Sequence, residues 1–460
     1  MSAATGGPTI DRSEGDVNLS PARKAWQRGH ITDAKTQALL EADAEVFLHQ
    51  SLSTPVLNAL ESCDGIYITD TQGRRYMDFH GNSVHQVGFG NAAVADAVAA
   101  QIEQLSFCTR RYTCQTAVDL ARRLVDLAPG DLSRVLLCPG GTSAVGMALK
   151  LARKATGRYK TISMWESFHG ASLDSISVGG EAIFRGGIGP LMPGAAHAPP
   201  CDEYRCLWNC HARGGCDLSC AAYVEYMLET EGDVAAVIAE PMRWTPYIPP
   251  KAYWERIRAA CDKHGALLIF DEIPNSLGRT GRVFTCEDYV VPDILVLGKG
   301  LGGGVMPLAA IVAREYLNEY GKEIALGHYT HEKSPVACAA ALATLDYIEE
   351  HDLCANALAV GDAALARLRA MRDKYALIGD VRGRGLLIGV ELIEDAAERT
   401  RALDAAERIM YGCLSRGLSF KLTMGNIVTL APPLTITEEE MHAALDILEE
   451  CIVAETEEMM

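Results

Sequence analysis

From residue 92 onward the chain alternates short, continuous apolar runs with longer stretches whose apolar residues recur every three or four positions. "AAVADAVAAQIEQL" and "AVDLARRLVDLA" carry the helical spacing, as does "AVGMALKLARKAT". "RVLLC", "KTISMW", "VAAVIAEPM", "GALLIFDEI" and "DILVLGKG" are the short runs expected of buried strands. Strands apolar at nearly every position belong in a sheet covered on both faces. The alternation therefore predicts an α/β fold, a mostly parallel sheet with helices on either side.

Each predicted strand ends on polar residues: "PGGTS", "ESFHG", Glu240, Asp271 and Lys299. Open α/β sheets bind ligands just beyond the carboxyl ends of their strands, so the candidate chemistry gathers there. Outside this region the pattern changes. "YITDTQGRRYMDF" reads as a hairpin with Gly73 in its turn. "ANALAVGDAALARLRAMRDKY", "VRGRGLLIGVEL" and "ITEEEMHAALDILEECIVAE" predict a smaller α/β unit near the C-terminus.

Composition narrows the function classes. Hydrophobic residues are 48% and charged residues 22% of 460, enough for a large core. A net charge of −18 argues against a nucleic-acid or anionic-membrane surface. No run of about 18 apolar residues predicts a membrane span. The polar start, "MSAATGGPTIDRSEGDVNLS", lacks a basic head and an apolar block and reads as a flexible arm, not a signal peptide.

Fifteen cysteines without an export signal suggest reduced thiols in the cytoplasm. Five of them fall in "CDEYRCLWNCHARGGCDLSC" (201–220), beside His211. Their spacing misses the CxxC pairs of structural zinc sites. The segment reads as an insertion of reduced thiols without metal near the active-site entrance, with zinc as the alternative.

The sharpest question is Lys299 in "VLGKGLGGG", because an amine at a buried strand end loses hydration. It is either a satisfied lysine or a nucleophile kept uncharged for chemistry. "PGGTS", between strand and helix, offers backbone N–H groups and the Thr142 and Ser143 hydroxyls to a phosphate. In "FDEIPNSLGRTGRVF" the acidic pair Asp271–Glu272 caps a loop, pairs with Arg279, or holds a heterocyclic cation. Glu240 before Pro241 and His169 in "SFHG" have structural readings as well as functional ones.

Taken in order, these segments resemble the class-III aminotransferase family of pyridoxal-phosphate enzymes. The combination "DEI…LGRTG" followed by "PDILVLGKGLGGGVMPLAA" carries the resemblance. It implies the fold of type I pyridoxal-phosphate-dependent transferases. That fold has a large domain with a mostly parallel seven-stranded sheet, and a smaller α/β domain from both chain ends. The implied division is a flexible arm over 1–20, a first part of the small domain over 21–75, the large cofactor-binding domain over 76–340 and the C-terminal small domain over 341–460.

The resemblance also implies roles. Lys299 would bond the cofactor through its amine and then act as acid and base. Asp271 would pair with the pyridine nitrogen and Phe168 would stack on the ring, with His169 and Gly170 beside it. Gly141 and Thr142 match the phosphate loop, and Glu240 matches a glutamate near the active site. Thr330 matches a threonine that crosses to the phosphate of the other subunit, so a homodimer is expected.

Departures refine the expected reaction. Pro274, followed by Asn275, stands where the family usually has a glutamine facing the cofactor's ring hydroxyl. Thr429 replaces an arginine that can hold a substrate carboxylate, and "THEKSP" places His331, Glu332 and Lys333 at the expected subunit boundary or in a solvated loop. With "DEIPNSLGRTG", "HYTHEKSP" and "HGNSVHQVGFG", the chain looks most like the (R)-1-hydroxy-2-aminoethylphosphonate ammonia-lyase branch. That branch implies elimination to phosphonoacetaldehyde and ammonia; an ω-aminotransferase is the alternative. Arg205, Arg243, His331 and Lys333 are the candidate phosphonate donors. A non-catalytic binding protein is the third class, against which Lys299 and Asp271 both count.

Overall fold

The predicted hairpin lies in the first sheet of the computed structural model, which describes residues 20–50 and 55–459. The expected arm lies, but for Ser20, outside those residues. Strand β1 (Leu60–Asp64) precedes the hairpin strands β2 (Tyr67–Asp70) and β3 (Arg75–Asp78). Gly73 turns the chain at φ +80°, where a side chain is disfavoured. Asp70 closes the turn by accepting the N–H groups of Gln72 and Arg74 at 3.0 Å each and the Tyr76 hydroxyl at 2.9 Å.

The large sheet follows: β4 (Leu132–Cys138), β5 (Lys160–Met164), β6 (Ala195–Ala198), β7 (Val234–Ala239), β8 (Leu267–Asp271), β9 (Ile294–Leu297) and β10 (Ala309–Arg314). Their spatial order is β4-β10-β9-β8-β7-β5-β6. Strands β6, β5, β7, β8 and β9 pair in parallel, as the alternation predicted. Strand β10 runs antiparallel to both its neighbours, β4 and β9. Its sequence, "AAIVAR", was not read as a strand.

Every residue of β7, β8 and β9 is buried, which requires a cover on each face. Alternate residues divide between the two covers, as the period of two dictates. Val237, Leu268, Phe270, Leu295 and Leu297 enter one core with Trp254. Ala236, Ile238, Ile269, Ile294 and Val296 enter the other, which also holds Ala144, Val145, Ala148 and Leu151 of the helix Gly141–Thr156.

A third sheet comprises β11 (Ile378–Arg384), β12 (Leu387–Asp395), β15 (Lys421–Thr423) and β16 (Ile427–Leu430), with β13 (Thr400–Arg401) paired to β12. Between them β14 (Leu418–Ser419) returns to the first sheet and pairs in parallel with β3, Met77 opposite Leu418 and Asp78 opposite Ser419. The two chain ends thus share one sheet. Among the described residues no helix is long and apolar enough to cross a membrane.

Candidate active site

The carboxyl ends of β4, β5, β7, β8 and β9 bring the predicted polar residues to one edge of the large sheet. Lys299 follows β9 after one glycine and opens a 3₁₀ turn, Lys299–Gly302. Its φ is +47°, a left-handed conformation that costs a side chain energy and persists only where the surroundings impose it. They do: a Cβ at Gly300 would collide with the side-chain amide of Gln86. Lys299 Nζ lies 5.6 Å from the centre of the Trp244 ring. The backbone that carries this indole is held by Glu240, whose Oε2 accepts the Trp244 main-chain N–H at 3.1 Å.

Asp271 ends β8 and is 1% exposed. Its Oδ2 lies 2.8 Å from His169 Nδ1, and its Oδ1 accepts the Ile273 N–H at 3.1 Å. A proton on Nδ1 donates to the carboxylate and holds it in one orientation. The far nitrogen, Nε2, is buried and has no hydrogen-bond partner among the described residues. Phe168 is partly buried against Phe184, with ring centres 4.7 Å apart.

Gly141 begins the helix Gly141–Thr156, whose N-cap, Gly140, supplies no side-chain hydrogen bond. The first N–H groups of a 16-residue helix are therefore left for an anion. Gly170 has φ +124°, and a Cβ there would stand 2.7 Å from Thr142 Cβ. Only glycine lets the Phe168–Gly170 turn come this close to the helix start. The Thr142 hydroxyl meets Ser172 Oγ at 2.6 Å and donates to Ser175 Oγ at 3.0 Å. These two serines escaped the sequence reading, because nothing in "GASLDSIS" marks them as facing another segment.

Thr330 is exposed and, among the described residues, bonds none of these groups. Its neighbours are tied down by Arg110, which reaches the Tyr329 carbonyl at 3.1 Å and Glu332 at 3.5 Å. His331 meets Phe107 edge-on at 5.4 Å. Of the "HEK" run, then, Glu332 and His331 have protein partners.

The Pro274 carbonyl accepts the Ser83 hydroxyl at 2.5 Å. Asn275 is fully buried; its amide donates to the Met242 carbonyl and its own carbonyl accepts Thr285 Oγ1 at 2.9 Å. It braces two loops. Arg279 pairs with neither Asp271 nor Glu272 and donates to the carbonyls of Leu386 and Pro432. Glu272 instead accepts the N–H groups of Thr285 and Cys286 at 2.6 Å each, and burial pushes its pKa up to about 7.

Two candidate phosphonate donors are engaged in ion pairs. Arg243 meets Glu166 and Glu181 at 3.4 Å each, and Arg205 pairs with the fully buried Glu391. In the cysteine-rich insertion the Cys206 and Cys210 sulfurs are 3.3 Å apart. Among the described residues no group of three or more His, Cys, Asp or Glu side chains is arranged to hold a metal ion.

The loop after β3, "HGNSVHQ", sits against the Lys299 turn. Gly81, Asn82 and Ser83 are left-handed in succession, at φ +47°, +46° and +60°. His80 before them feels the charges of Lys421 and Lys299. Burial first, then Lys421, His85 and Lys299, hold its pKa well below the usual imidazole range, so the ring is neutral. The sequence signal was a run of Gly, Asn and Ser between strands, which tolerates positive φ.

The donor set fits a flat, phosphorylated, amine-reactive cofactor. An open helix start would suit a phosphate, the buried Asp271 carboxylate would suit a protonated ring nitrogen, and Lys299 would supply the amine. His169 Nε2 is an orphaned polar atom that a bound group would cover.

Comparison with known proteins agrees. The aminotransferase class-III family profile matches residues 49–452. An (R)-1-hydroxy-2-aminoethylphosphonate ammonia-lyase from Vibrio splendidus (strain 12B01) is 49% identical, over 96% of this chain and 95% of that one. A leucine/methionine racemase from Thermococcus litoralis is 34% identical over 92% of this chain and 97% of its own. Among solved structures, a PLP-bound amine transaminase from an uncultivated Pseudomonas species superposes with a TM-score of 0.83 at 32% identity, covering 89% of this chain and 98% of that one.

Proposed function

We infer the activity from one premise: the chain belongs to the class-III aminotransferase family, and its cofactor is pyridoxal 5′-phosphate. We propose that it is an ammonia-lyase that converts (R)-1-hydroxy-2-aminoethylphosphonate to phosphonoacetaldehyde and ammonia. The observation that carries this reading is the 49% identity, over nearly both full lengths, to the Vibrio splendidus lyase. Thr429 supports it: its hydroxyl bonds Thr423 at 2.8 Å and offers no charge to the carboxylate of an ordinary amino acid.

Pyridoxal phosphate, when bound, supplies an electron sink for the carbon that bears the substrate amine. Lys299 Nζ takes the proton from that carbon. Asp271 keeps the ring nitrogen protonated, and His169 holds Asp271 in place to do so. The N–H groups at Gly141 and Thr142 would hold the phosphate, Phe168 would cover the ring, and Glu240 holds the Trp244 main chain beside the lysine. Loss of hydroxide from the neighbouring carbon frees an enamine, which tautomerises and hydrolyses to the aldehyde and ammonia. Substrate and products balance without an oxidant or a keto acid.

On this reading the protein works as a homodimer in which Thr330 of the partner subunit completes the phosphate site. A reducing cytoplasm suits its 15 free cysteines. The test is ammonia release from racemic 1-hydroxy-2-aminoethylphosphonate, with pyridoxal phosphate present and keto acid absent. Many turnovers per site are expected. One-time conversion of the cofactor to its amine form, without sustained ammonia, would establish the aminotransferase instead.

A further inference from the structure

The lyase reading leaves open what receives the phosphonate, since Arg205 and Arg243 are occupied by carboxylates. Strand register indicates another cation. Beyond the β3–β14 pair, Phe79 N–H donates to the Ser419 carbonyl at 2.8 Å, and two residues past Asp78 and Ser419 stand His80 and Lys421. In the third sheet Lys421 lies directly opposite Thr429. Residues opposite each other in an antiparallel pair present their side chains on the same face. The uncharged Thr429 thus has a cation beside it, one strand over.

Three further observations agree. Lys421 is partly buried yet, among the described residues, stands in no ion pair. His80 is within electrostatic range of both Lys421 and Lys299. The loop that carries His80 is pressed on the lysine turn: a Cβ at Gly300 would strike Gln86, and one at Gly304 would stand 3.1 Å from the Val84 carbonyl. On a chain of net charge −18, a dianionic group is drawn only to local positive charge of the kind Lys421 supplies.

We propose that Lys421, with the His80 ring beside it, is the anchor for the substrate's phosphonate. The assignment rests on the lyase reading and names the specificity group of that site. Lys421 supplies the charge, His80 a hydrogen bond, and Lys299 works on the carbon at the other end of a two-carbon substrate.

The test uses the holoenzyme in two assays. One is the steady-state kinetics of ammonia release; the other is calorimetric binding of methylphosphonate, which has no amine and cannot react. Lys421→Met is expected to raise both KM and the methylphosphonate Kd about 10- to 100-fold, with kcat changed less than about threefold, as for loss of a charged hydrogen bond. Lys421→Arg is expected to restore most of the affinity. Wild-type methylphosphonate binding in Lys421→Met would overturn the anchor, and if that variant still released ammonia the lyase reading would stand. If the wild type released no ammonia while methylphosphonate binding depended on Lys421, the lyase reading would fall and the anion site would stand.

Discussion

Lys299 is where conformation and chemistry meet in one residue. A lysine at φ +47° is held in an unfavourable backbone well, and the glycines around it remove every Cβ that would prevent this. Lys299→Ala should abolish turnover while leaving the circular dichroism spectrum unchanged; sustained turnover would remove the lysine from the mechanism. Asp271→Asn should keep the cofactor bound, seen by its absorbance, yet slow ammonia release by at least about 100-fold, because the ring nitrogen is no longer held protonated. A near-normal rate would refute the electron-sink role. Both residues were legible because each is a charged group set at the end of an apolar run. His80, Ser172 and Ser175 were not, since the lysines that act on His80 and the Thr142 that meets both serines come from segments 30 or more positions away, which local pattern does not link.

At the scale of an element, adjacent residues on the end of β8 have opposite fates. Asp271 joins His169, while Glu272 points into the protein and receives two backbone N–H groups of the 3₁₀ turn Thr285–Asp288. Burial raises the Glu272 pKa from 4.5 to about 7, so the folded protein holds this proton more tightly than the unfolded chain does. Its stabilising effect is complete below about pH 4.5 and is lost as the pH rises through about 7. Asp78, raised to about 6 by burial, acts with the same sign at lower pH. The melting temperature should therefore fall from pH 5 to pH 8, and less steeply in Glu272→Gln, by a few degrees. Parallel curves for the two proteins would show that Glu272 does not titrate in this range. Strands β4, β5, β7, β8 and β9 were legible from their apolar runs, whereas β6, the short "AAHA", was not. Strand β10 was hidden because a run as short as "AAIVAR" carries no mark of direction, and its pairing between β4 and β9 is decided by tertiary packing.

Across the whole molecule, buried charge joins parts that lie far apart in sequence. Glu391 on β12 is fully buried and meets Arg205 from the cysteine-rich insertion, Arg382 on β11 at 2.8 Å and Arg401 at 3.9 Å. Arg382 also donates to the Pro246 carbonyl at 2.7 Å, near the Trp244 that faces Lys299. Neutralising Glu391 leaves Arg205 without its carboxylate and Arg382 with Asp380 alone, a loss of about 3 kcal/mol. Glu391→Gln should lower the melting temperature by several degrees, and an unchanged value would mean that the arginines relax to solvent. Nothing in "LIGVELIED" announces this role, because a lone glutamate in an apolar strand resembles a solvent-facing one until its partners are known.

The reversed direction of β10 has a mechanical consequence. Strands β9 and β10 are neighbours, Leu297 beside Ala310, so the segment bearing Lys299 is pinned to the sheet at both ends. Gly303 pins it in the middle, where an added Cβ would stand 2.6 Å from Thr344 and 2.7 Å from Val94. A stretch clamped at three points cannot swing like a lid. The lysine's freedom is that of its own four-carbon tether, so a group that reacts with it would have to be carried to the amine.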